Sequence, residues 1–214
     1  MKMVESILRE DIEYVVHCDE KGKIIGPLSK IHAHLPGPRQ ALTHYSTWGM
    51  IFHPQSGKYG IQFKNPKKHD RFGAGKWDTG VGGHNCYAQY NGVYRPMNFK
   101  ETLIKEADEE IGLEVKVADS VQEFVKLSQK PMKNPLAFIF EKFHYKTEHN
   151  NEFVGVALII TPTTKVEFKD DEVVEFKWLT PTELGKYLKT ETNYCHPLLL
   201  AFKKAEEFRK KYCR

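Results

Sequence analysis

Short apolar runs separated by polar, glycine-rich punctuation dominate the chain, and a helical period emerges only late. Tyr14-Val15-Val16 and Ile24-Ile25 flank Asp19-Glu20-Lys21-Gly22, which predicts an N-terminal hairpin around a glycine turn. Residues 31–39, rich in Pro, Gly and His, predict a loop. Tyr45 to Phe52 reads as a strand that ends at His53-Pro54-Gln55-Ser56-Gly57-Lys58, with Tyr59 to Phe63 as its partner. Trp77 to His84 is short and Gly-rich, a strand or loop at which the backbone approaches something closely. Leu136 to Tyr145, Phe153 to Thr161 and Glu172 to Trp178 are β-prone, Pro181-Thr182-Glu183-Leu184 starts a helix, and His196 to Tyr212 is a last amphipathic helix. Strands and helices mix without an internal repeat, which predicts one α+β or α/β domain over residues 1–214. Its parts are an N-terminal hairpin and loop (1–43), a core (44–190) and a C-terminal helix (191–214).

The helical period starts at Asn98, a good N-cap, and runs to Gly112, a good C-terminal stop. At about 100° per residue, Leu103, Ile104, Ala107 and Ile111 form one stripe and Glu106, Glu109 and Glu110 the adjoining one. Glu106 therefore faces like charges at i+3 and i+4, which costs an isolated helix roughly 0.2–0.5 kcal/mol per pair. A hard cation such as Mg²⁺ offsets that cost, because it takes carboxylate oxygens while keeping waters and substrate phosphates in its other positions. The residues alone also admit a solvated acidic face.

Charge and cysteine content narrow the function classes. A net charge of +4 marks no nucleic-acid binder unless it is concentrated, and two basic clusters occur. One, near the C-terminus, interleaves with Glu206 and Glu207 and reads as a solvated helix face. The other, Lys64, Lys67, Lys68, Arg71 and Lys76, precedes the glycine-rich stretch. The four cysteines, Cys18, Cys86, Cys195 and Cys213, have no C-x-x-C spacing, and no apolar run approaches a membrane span, so a cytoplasmic protein is expected. Gln89-Tyr90-Asn91-Gly92-Val93-Tyr94 carries the Asn-Gly pair of a type I′ turn and predicts a further hairpin.

The string Lys105-Glu106-Ala107-Asp108-Glu109-Glu110-Ile111-Gly112-Leu113 resembles the second half of the Nudix box, R-E-U-x-E-E-x-G-U. Trp77-Asp78-Thr79-Gly80-Val81-Gly82-Gly83-His84 is similar to the segment that opens the box, and Asp171 to Leu184 to the late strand and helix of that family. Lys105 replaces the box arginine and loses its bidentate fork. Lys105 follows Gly83 by 22 positions, about eight more than the box spacing, and Met97 falls where the first box glutamate belongs. The N-terminal hairpin, His-containing loop and Tyr45-Ser46-Thr47-Trp48 are similar to isopentenyl diphosphate isomerases and related Nudix hydrolases. The isomerases place a cysteine where this chain has Gly82.

The resemblance implies a Nudix fold, a mixed β-sheet between helices. It also implies a Mg²⁺-dependent hydrolase, with Mn²⁺ an alternative ion, that cleaves a diphosphate linkage in a nucleoside diphosphate derivative or related small molecule. Glu106, Glu109 and Glu110 are the implied metal ligands, with Glu109, Glu110 and Glu152 as catalytic candidates. Lys64, Lys68, Lys76, Gly83 and Tyr90 are the candidates for substrate binding. His34 and His84 match isomerase metal histidines in general placement. An isomerase-like enzyme and a non-catalytic Nudix binding module remain alternatives. No membrane and no stable nucleic-acid partner are expected, and the oligomeric state and substrate stay open.

Overall fold

A computed structural model describes residues 8–9, 11–67 and 73–213. The elements in chain order are β1 (Tyr14–Cys18), β2 (Ile24–Ser29), α1 (Lys30–His34), α2 (Pro38–Ala41), β3 (His44–His53), β4 (Lys58–Lys64), β5 (Trp77–Asp78), β6 (Val81–His84), β7 (Tyr87–Tyr90) and β8 (Val93–Pro96). There follow α3 (Phe99–Ile111), β9 (Lys116–Val117), α4 (Val121–Ser128), β10 (Leu136–Lys146), β11 (Asn151–Ile160), β12 (Val173–Leu179), α5 (Pro181–Thr190) and α6 (His196–Tyr212). The main sheet has the order β12-β4-β3-β11-β10-β9. It is mixed, because β4 runs antiparallel to β3 and β12 while β9 joins β10 in parallel. The fold class is α+β, as the sequence predicts.

The chain divides into two compact units, Met1–Thr47 with His84–Thr102 and Lys142–Gly155, and Trp48–Gly83 with Leu103–Glu141 and Val156–Arg214. In the first, β1 and β2 form the expected N-terminal hairpin, in register from Tyr14 opposite Ser29 to His17 opposite Gly26. The segment expected to be a loop contains two short helices instead, α1 and α2, the latter opened by Pro38, whose fixed φ suits a first helical position. β7 and β8 pair with Tyr90 opposite Val93, and Asn91 (φ 50°) and Gly92 (φ 81°) both lie in the left-handed region, as a type I′ turn requires. Tyr45 stacks on Phe99 with ring centroids 4.7 Å apart, beside Phe153.

The second unit holds the larger core. Of the predicted apolar stripe of α3, Leu103, Ala107 and Ile111 are buried with Ile51, Val81, Ala157 and Ile159, whereas Ile104, at the edge of the stripe, is exposed. A Cβ on Gly49 would stand 3.1 Å from Leu103 Cδ1, so the glycine lets the helix seat closely on β3. The helix ends as its sequence indicates. Asn98 Oδ1 accepts from the N–H groups of Lys100 and Glu101 while Glu101 Oε2 accepts from Asn98 N–H, a reciprocal cap. At the other end Gly112 has φ 69° and its N–H reaches Asp108 C=O at 3.0 Å, the bond of an αL cap, while Leu113 N–H reaches Ala107 C=O at 2.9 Å. A helix absent from the sequence reading, α4, is capped by Ser120, whose side chain accepts from Glu123 N–H.

Candidate functional site

In the second unit, α3 presents its acidic stripe in two different environments. Glu110 is fully buried and both its oxygens are engaged. Lys64 Nζ donates to Oε1, Gln62 Nε2 donates to both oxygens at 3.3 and 3.2 Å, and Gly82 N–H donates to Oε2 at 3.0 Å. Burial alone would lower the Lys64 pKa, but Glu110, reinforced by Asp78, outweighs it and raises it, so Lys64 is an ammonium. Burial pushes the Glu110 carboxyl up, and Lys64 and Gly82 N–H pull it back toward the anion.

Glu106 and Glu109 are bridged instead by Lys105, which donates to both, at 3.3 Å in the case of Glu106. Glu109 is nearly half exposed and Glu106 mostly covered, at 46% and 13% side-chain exposure, so water reaches this pair as it does not reach Glu110. Burial, and then the charge of Glu110, push the Glu106 carboxyl up to about 7, with Lys105 opposing. Gly83 lies directly against Glu106: a Cβ there would stand 2.4 Å from Glu106 Cδ and 2.6 Å from its Oε1. The close approach expected of the glycine-rich stretch is therefore to a carboxylate of α3. The donor set of Glu106 and Glu109 fits a hard divalent ion that completes its shell with water. Glu110 does not fit that role in this arrangement, since its lone pairs already serve Lys64, Gln62 and Gly82.

The remaining residues expected from the sequence fall as follows. Lys64 is buried on Glu110, and Lys76 lies in the turn before β5, where its C=O accepts from Lys64 N–H at 3.0 Å. Lys68 lies outside the described residues. Tyr90 belongs to the first unit, where the Arg95 guanidinium covers one of its faces 3.6 Å from the ring centroid.

The first unit contains a second constellation. His34, His44 and His84 each offer one ring nitrogen, and the three lie within 4.8 Å of one another. His44 Nδ1 meets Leu42 C=O at 3.2 Å and His34 Nδ1 meets Lys30 C=O at 2.6 Å. Each carbonyl accepts an N–H, so in both rings Nε2 is the nitrogen that carries the lone pair. His34 Nε2 stands 3.2 Å from His84 Nε2, and His44 Nε2 is buried without a hydrogen-bond partner. Burial, reinforced by the charge of His34, pushes His44 down to about 3, so it is a neutral imidazole. Glu152 is buried beside them, accepting from Ser46 Oγ at 2.7 Å, with Oε1 3.9 Å from His84 Nε2. Three imidazoles and a carboxylate fit a transition metal, and the orphaned nitrogen of His44 is the kind of buried polar atom such an ion would satisfy. Sequence reasoning named His34, His84 and Glu152 but missed His44, which no local spacing marks.

No protein-family model matches the chain, and no curated protein does. Among solved structures it is similar to DR0079 from Deinococcus radiodurans, at 16% identity and a TM-score of 0.58, over 94% of this chain and 100% of the other. It is also similar to a MutT protein from Methanosarcina mazei Go1, at 16% identity and a TM-score of 0.50, over 78% of this chain and 94% of the other. A Nudix hydrolase from Nitrosomonas europaea matches at 14% identity and a TM-score of 0.50, over 79% of this chain and 92% of the other. These likenesses establish the fold as that of Nudix proteins. Among the described residues no helix is long and apolar enough to cross a membrane.

Proposed function

We propose that the protein is a divalent-metal-dependent hydrolase that cleaves a diphosphate linkage in a nucleoside diphosphate derivative or related small molecule. The observation that carries this reading is the water-accessible pair Glu106 and Glu109, bridged by Lys105 and backed by Gly83. Glu106 and Glu109 would hold Mg²⁺ or Mn²⁺, and such an ion, when bound, supplies neutralisation of the diphosphate charge. The chain's own groups do the rest. Lys105, which bridges the two carboxylates, would be the ammonium released toward a phosphate oxygen if they held an ion. Glu106, packed against Gly83, and Glu109, open to water, present the carboxylate oxygens to which an attacking water would give its proton. Glu152, held by Ser46 and 3.9 Å from His84 Nε2, belongs instead to the histidine constellation of the first unit.

The histidine constellation favours a second reading, isomerisation of isopentenyl diphosphate at a transition-metal centre. Against it stands Gly82, which offers no thiol for proton transfer. Cys86 is no evident replacement, since its Sγ is engaged with Glu13 Oε1 at 3.1 Å and His84 C=O at 3.3 Å. A screen of nucleoside diphosphate derivatives with Mg²⁺, run beside an EDTA control, separates the two. Metal-dependent cleavage that disappears in Glu109→Gln supports the hydrolase. Absence of cleavage, together with deuterium exchange from solvent into isopentenyl diphosphate, supports the isomerase.

A further inference from the structure

Glu110 has the sequence position of a metal ligand and the surroundings of a closed ion pair. Its carboxylate is fully buried and accepts from an ammonium, a side-chain amide and a backbone N–H. The same ammonium lies 3.5 Å from Gly82 C=O, so Lys64 touches both α3 and the glycine-rich strand. A divalent ion meeting Glu110 would have to expel Lys64 into a site where it is itself only 6% exposed, leaving an uncompensated buried ammonium. Expulsion of a buried charge from its partner is strongly opposed.

We propose that Lys64 is a built-in counter-ion that takes the place of a divalent ion on Glu110. Metal binding on α3 is thereby confined to Glu106 and Glu109. Glu110 becomes a positioning residue that ties β4 and the Gly82 peptide to the helix. The Lys64 ammonium also acts favourably on the Glu106 carboxylate, so one tethered charge serves the acidic stripe on its buried side as Lys105 does on its wet side. This inference rests on the reading of Glu106 and Glu109 as an ion-binding pair. Its test is the response of Glu110, which can succeed or fail independently.

The experiment is Mn²⁺ binding, followed by the electron paramagnetic resonance of free Mn²⁺, in full-length protein carrying His34→Ala and His84→Ala to silence the histidine constellation. Lys64→Gln should tighten Mn²⁺ binding by at least about tenfold, because it releases Glu110 to the ion. Glu110→Gln alone should change it less than about twofold. The two together should return the affinity to that of the background. Binding that appears only with Lys64→Gln would sink the ion-binding pair as a native site while supporting the counter-ion. No gain with Lys64→Gln, or a large loss with Glu110→Gln, would overturn the proposal. Should Lys64→Gln fail to fold, the unsubstituted chain serves: with ¹³C-labelled glutamate, a Glu110 carboxyl resonance that stays fixed on Mg²⁺ addition supports the proposal, and one that moves overturns it.

Discussion

Adding one carbon atom at Gly83 tests the local geometry of the acidic site. In Gly83→Ala the new Cβ would lie 2.4 Å from Glu106 Cδ, 2.6 Å from Oε1 and 2.7 Å from Oε2. Ordinary contact needs at least about 3.4 Å, so the carboxylate must retreat by roughly 1 Å, and a misplacement of that size in a catalytic group costs about 10²-fold in rate. The obstacle is the tip of a flexible side chain, so the folding cost should stay near an off-rotamer penalty of about 0.5–1.5 kcal/mol. Gly60→Ala is the structural control. Its Cβ would meet the Phe176 ring at 2.4 Å and Trp178 at 3.2 Å, and it should destabilise the fold by about 1–3 kcal/mol without a specific loss of kcat. The assay is kcat and KM with Mg²⁺ on a cleaved diphosphate, beside thermal unfolding. A double-mutant cycle with Glu106→Gln should be strongly non-additive, since both changes act on one carboxylate. Full activity in folded Gly83→Ala would show that the placement of the Glu106 carboxylate does not matter to turnover.

Three further outcomes follow from the same structure. Because burial holds the Glu106 carboxyl near 7 against an ordinary 4.5, the native metal-free protein retains a proton that the unfolded chain has released, and stability falls as pH rises from about 4.5 to 7. Glu106→Gln should remove that slope and unfold less readily than wild type above pH 7, by up to about 3 kcal/mol before the lost Lys105 contact is subtracted; a variant with the wild-type slope in urea titrations would contradict this. Co²⁺ at about 100 times its dissociation constant for the histidine constellation should stabilise the wild-type chain by ~2.7 kcal/mol through that site and develop visible ligand-field bands; His44→Ala should lose the bands and that share of the stabilisation, and bands that persist unchanged would show that its Nε2 is no ligand. Ser120→Ala should cost ~1 kcal/mol in denaturant unfolding through loss of the α4 cap, with divalent-ion binding untouched.

What was legible in the sequence was local. The ends of α3 were readable because Asn98 and Gly112 act on the turns next to them, and the β7–β8 turn because Asn91-Gly92 suits two left-handed residues in succession. α4 carries a readable mark as well, Ser120 three residues before Glu123, but the helix behind it has only 8 residues, too few turns for its apolar period to stand out. The charge partners were not legible. Lys64 sits in a basic stretch that suggests a surface, yet the strand it ends brings it to Glu110, 46 positions away. His44 on β3 meets His34 on α1 and His84 at the end of β6 across ten and forty positions, and no short motif spans the three. Patterns set by one helix turn or one β-turn can be read from neighbouring residues; patterns set by strand pairing need the sheet.

Metal-dependent hydrolysis of a diphosphate linkage by Glu106 and Glu109 can be followed by ³¹P nuclear magnetic resonance of a diphosphate panel turned over in ¹⁸O-labelled water. The wild-type chain should form Mg²⁺-dependent product phosphates carrying one ¹⁸O from solvent, and folded Glu106→Gln/Glu109→Gln should not. Unchanged turnover in that double variant, or products formed equally well in EDTA, would contradict that role for the two carboxylates.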